Sequence, residues 1–280
     1  MGNIDINRIW KKGFPEDSLE ANVEAYCRKM ASERTDKLLK CYSALKMSRG
    51  GRYINSDLLK MVYPFYAGKF EHRERFNTAI TNSAAVLTSE VFSRAVRNPE
   101  VDKCIFVLGP YGAGKSYFVQ SVFEVLDEND FKGTIVYEGS ITPPAFNNKV
   151  QEAIDNGLFV EVIAINPTLE LSMRNIRARE KQIGRGVERK EVLDKFSNFH
   201  RYFVDLTKAF PSMPYTIYSK DRNKAINLQG GSYNLEELNH GTPDEIAKEY
   251  DRIIAILNKE DGISEEVTIP ESRRIGMKNR

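Results

Sequence analysis

The chain has 280 residues, 41% of them hydrophobic and 29% charged, which excludes an intrinsically disordered protein and leaves ample material for a large core. Its 41 basic and 39 acidic residues leave a net charge of +2, too little basic excess for a surface dedicated to nucleic-acid backbone. Three cysteines (Cys27, Cys41 and Cys104) without metal-ligand spacing argue against a disulfide framework or a zinc site, and no apolar run is long enough to span a bilayer. The reading is a soluble, cytoplasmic protein with neither a membrane nor a nucleic-acid partner. No signal peptide precedes the first charges, and Ile6 stands where N-myristoylation needs Ser or Thr.

Helical spacing of Leu19, Val23, Tyr26 and Met30 predicts a helical stretch from Ser18, its expected cap, to Met47. Ser48-Arg49-Gly50-Gly51 reads as a break. The short apolar piece Tyr53-Ile54 precedes Asn55-Ser56-Asp57, a helix-start signal ahead of Leu58. Two further helices are expected over His72–Asn82 and Ala84–Val96. Tyr63, Phe65 and Tyr66 are expected to pack in the core, as is Cys104.

After Pro99 the pattern changes. Strands are predicted at Cys104–Leu108, Thr134–Tyr137, Phe159–Ile165 and Tyr215–Tyr218. Helices alternate with them from Tyr117 to Leu126, Pro144 to Asn156, Leu169 to Gln182 and Lys190 to Ala209, and a last helix is expected from Pro243 to Leu257. Such alternation implies a parallel sheet with right-handed crossovers. The fold class is α/β: a P-loop kinase-like parallel sheet flanked by helices, with a mainly helical N-terminal region. The tail after Gly262 is expected to be loosely ordered.

Between the first of those strands and its helix stands Gly109-Pro110-Tyr111-Gly112-Ala113-Gly114-Lys115-Ser116, which matches the phosphate-loop pattern at every position. Glycines let successive N–H groups point into one concavity, and the helix start adds its dipole. Lys115 is expected to bridge the β- and γ-phosphates of a nucleoside triphosphate and Ser116 to ligate Mg²⁺; Tyr117 completes the nucleotide-binding set.

Glu138 closes the second of these strands, where ligands approach an open parallel sheet. It could hold Mg²⁺ through water, orient a substrate, serve as base, or simply face solvent. Asp57, judged on its neighbours alone, reads as a helix cap. Arg174, Arg177, Arg179, Lys181, Arg185 and Arg189 crowd the segment after the third strand. Mobile cations there suit phosphoryl transfer, while Glu170, Glu180 and Glu188 could equally pair with several of them on a solvated helix.

Taken together, the phosphate loop, Val136-Tyr137-Glu138-Gly139-Ser140, Phe159 to Pro167, Asn175-Ile176-Arg177-Ala178-Arg179 and Gly184-Arg185-Gly186 resemble the zeta-toxin family of P-loop kinases. The resemblance implies ATP and Mg²⁺ as cofactors, transfer of phosphate to UDP-N-acetylglucosamine, toxicity through cell-wall precursor metabolism, and restraint by an antitoxin. It also implies that Arg179 and Arg185 are the catalytic cations. One departure stands out. The family places a strand ending in Asp-x-x-Arg between the phosphate-loop helix and the Glu-Gly strand, and nothing between Leu126 and Thr134 fits it. Tyr53-Ile54-Asn55-Ser56-Asp57-Leu58-Leu59-Lys60 does, as if permuted ahead of the loop. By this resemblance Asp57 is the general base, Lys60 replaces the family arginine at the substrate, Glu138 helps to bind substrate, and the Tyr53-Ile54 strand is expected beside Cys104–Leu108.

The expected organisation is therefore residues 1–50 as a helical segment that could act as a built-in antitoxin, 51–262 as the kinase domain with 51–97 its permuted part, and 263–280 as a tail. The competing readings are a P-loop kinase for another small hydroxylated substrate, such as an antibiotic or a nucleoside, and a non-catalytic ATP-binding regulator. A GTPase is disfavoured because no Asn-Lys-x-Asp string appears.

Overall fold

The computed structural model describes residues 3–125, 132–220 and 235–262. The expected helix end at Leu126 and the tail from 263 lie outside them. The elements run α1 (Leu19–Glu33), α2 (Thr35–Ala44), β1 (Tyr53–Asn55), α3 (Ser56–Leu59), α4 (Pro64–Gly68), α5 (Phe70–Val96), β2 (Lys103–Leu108), α6 (Lys115–Val125), β3 (Thr134–Gly139), α7 (Ala145–Asp155), β4 (Phe159–Pro167), α8 (Leu169–Ile183), α9 (Arg189–Ala209), β5 (Tyr215–Lys220) and α10 (Pro243–Glu260). The fold is α/β, as expected, with all five strands parallel in the order β1-β3-β2-β4-β5.

Two local differences from the sequence reading have simple causes. The single N-terminal helix breaks at Arg34 (φ −127°, ψ 27°), where the buried Thr35 hydroxyl accepts from the Ile4 amide at 3.2 Å and donates to the Ala31 carbonyl at 2.8 Å. The two helices expected over 72–96 are one. Ile80, Ser83, Ala84 and Leu87 of α5 are all buried and keep the apolar stripe continuous through the polar-looking Thr81–Ser83.

The edge strand β1 carries a larger correction. It pairs with β3, in the register Tyr53 with Val136, Ile54 with Tyr137 and Asn55 with Glu138, and not with β2 as expected. A strand that precedes the phosphate loop in the chain thus lies beyond the Glu138 strand in the sheet, its carboxyl end aligned with the others. Alternation along the strands divides the core. Ile54, Cys104, Phe106, Ile135 and Val162 face one side, with α5, α7 and the N-terminal helices. Tyr53, Val107, Val136 and Ile165 face the other, against Phe118, Val119 and Phe123 of α6.

The N-terminal segment is not a detachable cover. Ile4, Ile9, Cys27, Ala31, Leu38, Leu39 and Tyr42 belong to the same buried cluster as the sheet face. Tyr42, fully buried, donates its hydroxyl to the Tyr53 carbonyl and accepts from the Asn55 amide at 3.1 Å. One side chain of α2 therefore satisfies two backbone groups on the open edge of β1, which would otherwise be buried without partners. Tyr63, Tyr66 and Cys104 are core residues as expected. Among the described residues, no helix is long and apolar enough to cross a membrane.

A chain beginning at Gly51 is accordingly expected to lose its cooperative thermal transition, because removal of residues 1–50 uncovers the α5 face and the β1 edge. Tyr42→Phe, which keeps the ring, should lower unfolding stability by about 1–2 kcal/mol in urea denaturation. A truncated chain that melts cooperatively near the full chain's temperature would refute this account of the segment.

Candidate active site

The carboxyl ends of β1, β2, β3 and β4 converge on one cleft, as strand ends do in open parallel sheets. Its centre is the loop between β2 and α6. Gly112 sits in the left-handed region (φ +72°) and lies hard against α8. A methyl group there would come within 2.3 Å of the Ser172 carbonyl oxygen. Asn175, one helical turn on, donates its side-chain amide to the Gly112 carbonyl at 2.8 Å. Start and end of the chemistry-bearing region are thus tied together: α8, which carries Arg179, is pinned to the phosphate loop.

The cleft, about 440 Å³, is lined by Gly112 to Tyr117, Glu138, Asn175 and Arg179. Lys115 opens α6 and folds its amine back onto the Gly109 and Pro110 carbonyls, both at 2.9 Å. Burial pushes this amine's pKa down, against the pull of Glu138. Ser116 donates its hydroxyl to Glu138 Oε1 at 2.9 Å. Of the expected nucleotide-binding set, Gly109 and Pro110 thus serve as acceptors for Lys115, and Tyr111 packs instead against the apolar cluster of α8, α9 and α10.

Beside the cleft lies a second cluster. Asp57 forms ion pairs with Arg185 and, at 3.4 Å, with Lys60, while 40% of its own side-chain surface stays open. Burial among neighbouring atoms would raise the Asp57 pKa. Arg185, Lys60 and Arg179 outweigh that and hold the carboxyl well below the usual carboxylate range. The local helix cap proves to be Asn55, whose side chain accepts from the Leu58 amide at 2.9 Å. That corrects the cap reading of Asp57: two residues further on, it is left free to turn toward the cations.

Lys60 is nearly inaccessible and does not line the cleft. Its amine donates to Asn77 Oδ1 at 2.8 Å, and the same oxygen accepts from the Tyr66 hydroxyl at 2.9 Å. Buried there by α5, it supports Asp57. Burial lowers the Lys60 pKa, and Asp57 opposes the shift.

The arginines of α8 and the segment that follows it separate into two groups. Arg174 pairs with Glu170 and Glu260, Arg177 and Lys181 with Asp261, and Arg189 with Asp251, all anchoring α8 and α9 to themselves or to α10. Arg179 has no hydrogen-bonded partner among the described residues, and its Nε is buried. Desolvation and the neighbouring Arg185 lower its pKa, while Asp57 and Glu138 pull the other way, so Arg179 stands between the two clusters. The end of α8 is held by Arg73 of α5, which donates to the Ile183 carbonyl at 3.2 Å and the Ala67 carbonyl at 2.7 Å.

Sequence reasoning missed Asn77, a polar residue at an ordinary helical position with no local pattern to mark it. Asn175 and Tyr53 figure there only as parts of longer strings, with no role of their own. Tyr53, read only as part of an apolar strand, donates its hydroxyl to Glu138.

The donor set suits a hard divalent cation: a hydroxyl and a carboxylate at one point beside a loop of backbone amides. Among the described residues no group of three or more His, Cys, Asp or Glu could hold a metal, so phosphate oxygens would have to complete such a site. No protein-family model and no curated protein matches this chain.

Gly112 tests the coupling of loop and α8. Gly112→Ala should cost about 2 kcal/mol or more, since φ strain and a clash with helix backbone add. Gly157→Ala, with a similar φ of +80° but open space around it, should cost only about 1 kcal/mol, the strain alone. Equal losses in urea denaturation would mean that α8 yields freely.

Proposed function

We propose that the chain is an ATP-dependent kinase that phosphorylates the hydroxyl of a small molecule, with a nucleotide sugar such as UDP-N-acetylglucosamine as the acceptor its zeta-toxin-like motifs imply. The observation that carries this reading is that Arg179 stands between the cleft lined by Lys115 and the Asp57–Arg185 pair beside it. The Asp57 charge reaches the Lys115 amine, where with Glu138 it opposes the lowering of that amine's pKa by burial. A nucleotide sensor has no use for a carboxylate there. A phosphotransferase needs one beside the acceptor oxygen.

In this reading Lys115 exchanges the Gly109 and Pro110 carbonyls for phosphate oxygens. Ser116 and Glu138 would hold Mg²⁺, which when bound would supply neutralisation of the phosphate charge. Arg179 meets the charge that spreads over the equatorial oxygens of the transferred group. The acceptor hydroxyl donates to Asp57. As its oxygen bonds to the γ-phosphorus and the bond to the β-phosphate oxygen breaks, the hydroxyl proton passes to Asp57 and ADP leaves. A carboxylate with so low a pKa is a weak base, so it orients the hydroxyl first and accepts the proton late, as a loose transition state allows. If Arg185 turns to the phosphoryl group, Asp57 loses a main cationic partner and its basicity rises during the step. None of the described residues among the first fifty lines the cleft, so we assign the restraint of a toxic kinase to a separate antitoxin.

Transfer of labelled phosphate from ATP across a panel of nucleotide sugars tests the reading. Lys115→Ala should abolish transfer, and undiminished turnover in that variant removes the kinase. Arg179→Ala and Arg185→Ala should each lower kcat about a hundredfold or more, whereas Arg174→Ala and Arg189→Ala stay within about threefold. Comparable losses in all four would refute this division of the arginines.

Asp57→Asn should lose turnover by about a thousandfold with ATP binding kept. Because the carboxyl is held below its ordinary pKa, Asp57 stays ionised as pH falls toward the usual carboxylate range. The acid limb of kcat/KM that it causes must then lie below that range, and Arg185→Ala should move the residual activity's limb upward. An acid limb unmoved by Arg185→Ala would take Asp57 out of the proton step.

A further inference from the structure

Both oxygens of the Glu138 carboxylate are committed, and to hydroxyls from different elements. Oε1 accepts from Ser116 at the start of α6 at 2.9 Å, and Oε2 accepts from Tyr53. Tyr53 is 1% exposed and lies on the face of the sheet that packs on α6, its ring set edge-on to Phe123 at 6.1 Å between centroids. Its register partner is Val136, so its hydroxyl reaches Glu138 diagonally, two residues along β3. The hydroxyl is itself held, by the Asn55 side-chain amide at 3.1 Å. With Asn55 and Ser116 as donors beside it, the hydroxyl gives its own proton to Glu138.

We propose that Tyr53 is a positioning residue that clamps one oxygen of Glu138 so that the other is presented, with Ser116, to the hydrated divalent cation of a bound nucleoside triphosphate. This rests on the phosphate-loop reading of the preceding subsection. A carboxylate at a strand end is otherwise free to rotate about its terminal torsion, and a cation that keeps most of its waters requires its outer oxygens at fixed positions. The clamp is available because β1 lies beside β3: a strand paired with β2 would put Tyr53 out of reach of Glu138.

The test is calorimetric binding of ATP to the full chain, with Mg²⁺ and with EDTA, alongside thermal melts. Tyr53→Phe keeps the ring on Phe123. It should weaken ATP affinity about fivefold to tenfold in Mg²⁺ and leave affinity in EDTA unchanged. Tyr42→Phe removes a hydroxyl from the opposite side of the same strand. It should lower the melting temperature while keeping the wild-type ratio of the two affinities. If Tyr53→Phe has no cooperative melt, Asn55→Ser carries the same test, since it keeps an oxygen to cap α3 and deletes only the amide behind the Tyr53 hydroxyl. Affinities that fall equally with and without Mg²⁺, or fall in neither, overturn the clamp. Wild-type protein that fails to bind ATP in either buffer overturns the phosphate-loop reading and the clamp with it.

Discussion

Three residues of β1 hydrogen-bonded to β3 determine where half of the cleft's chemistry sits. The pairing of Tyr53–Asn55 with Val136–Glu138 carries the chain out of the sheet at the same end as the phosphate loop, so Asp57 arrives beside cations contributed from elsewhere. A strand this short contributes few ladder bonds and would be marginal alone. It is held because Ile54 is buried against the α5 face, Tyr53 is buried against α6, and Tyr42 closes the outer backbone groups. The N-terminal helices and the long α5 therefore serve the site without touching the cleft: they pin the edge strand that aims Asp57.

Charge is the second constraint. Among the described residues, Asp57 and Glu138 are the carboxylates that chiefly act on Lys60, Lys115, Arg179 and Arg185. Desolvation lowers the pKa of Lys60, Lys115 and Arg179, the mark of cations held short of solvent. Such an excess is costly in an empty cleft and is relieved by a polyanion. The remainder of α8 and of the segment after it behaves differently. Its other arginines and Lys181 are matched to carboxylates at the surface, where each pair contributes little to stability but fixes the angle of α8.

Local pattern was sufficient for the parallel α/β sheet, the glycine-rich turn between β2 and α6 and the core roles of Cys104, Tyr63 and Tyr66. Strand alternation, glycine spacing and helix periodicity are short-range properties that neighbouring residues enforce on one another. The same short-range logic assigned the α3 cap to Asp57 when Asn55 makes that bond, because two cap-forming residues stand two apart and only backbone geometry chooses between them. It also divided α5 in two, because Thr81–Ser83 looks polar in sequence although Ser83 is fully buried.

What the sequence by itself determined is the chemical inventory and the class of fold: a glycine-rich turn between strand and helix, an acid at a strand end and a cluster of arginines after the strand that follows it. Only the tertiary structure decided which strand lies beside which, and with it the partnership of Tyr53 with Glu138, of Asp57 with Arg185, and the separation of Arg179 from its ion-paired neighbours. Strand order in a parallel sheet follows from where the connecting helices can bury their apolar faces. That is a sum over contacts far apart in the chain, and no window of neighbouring residues contains it.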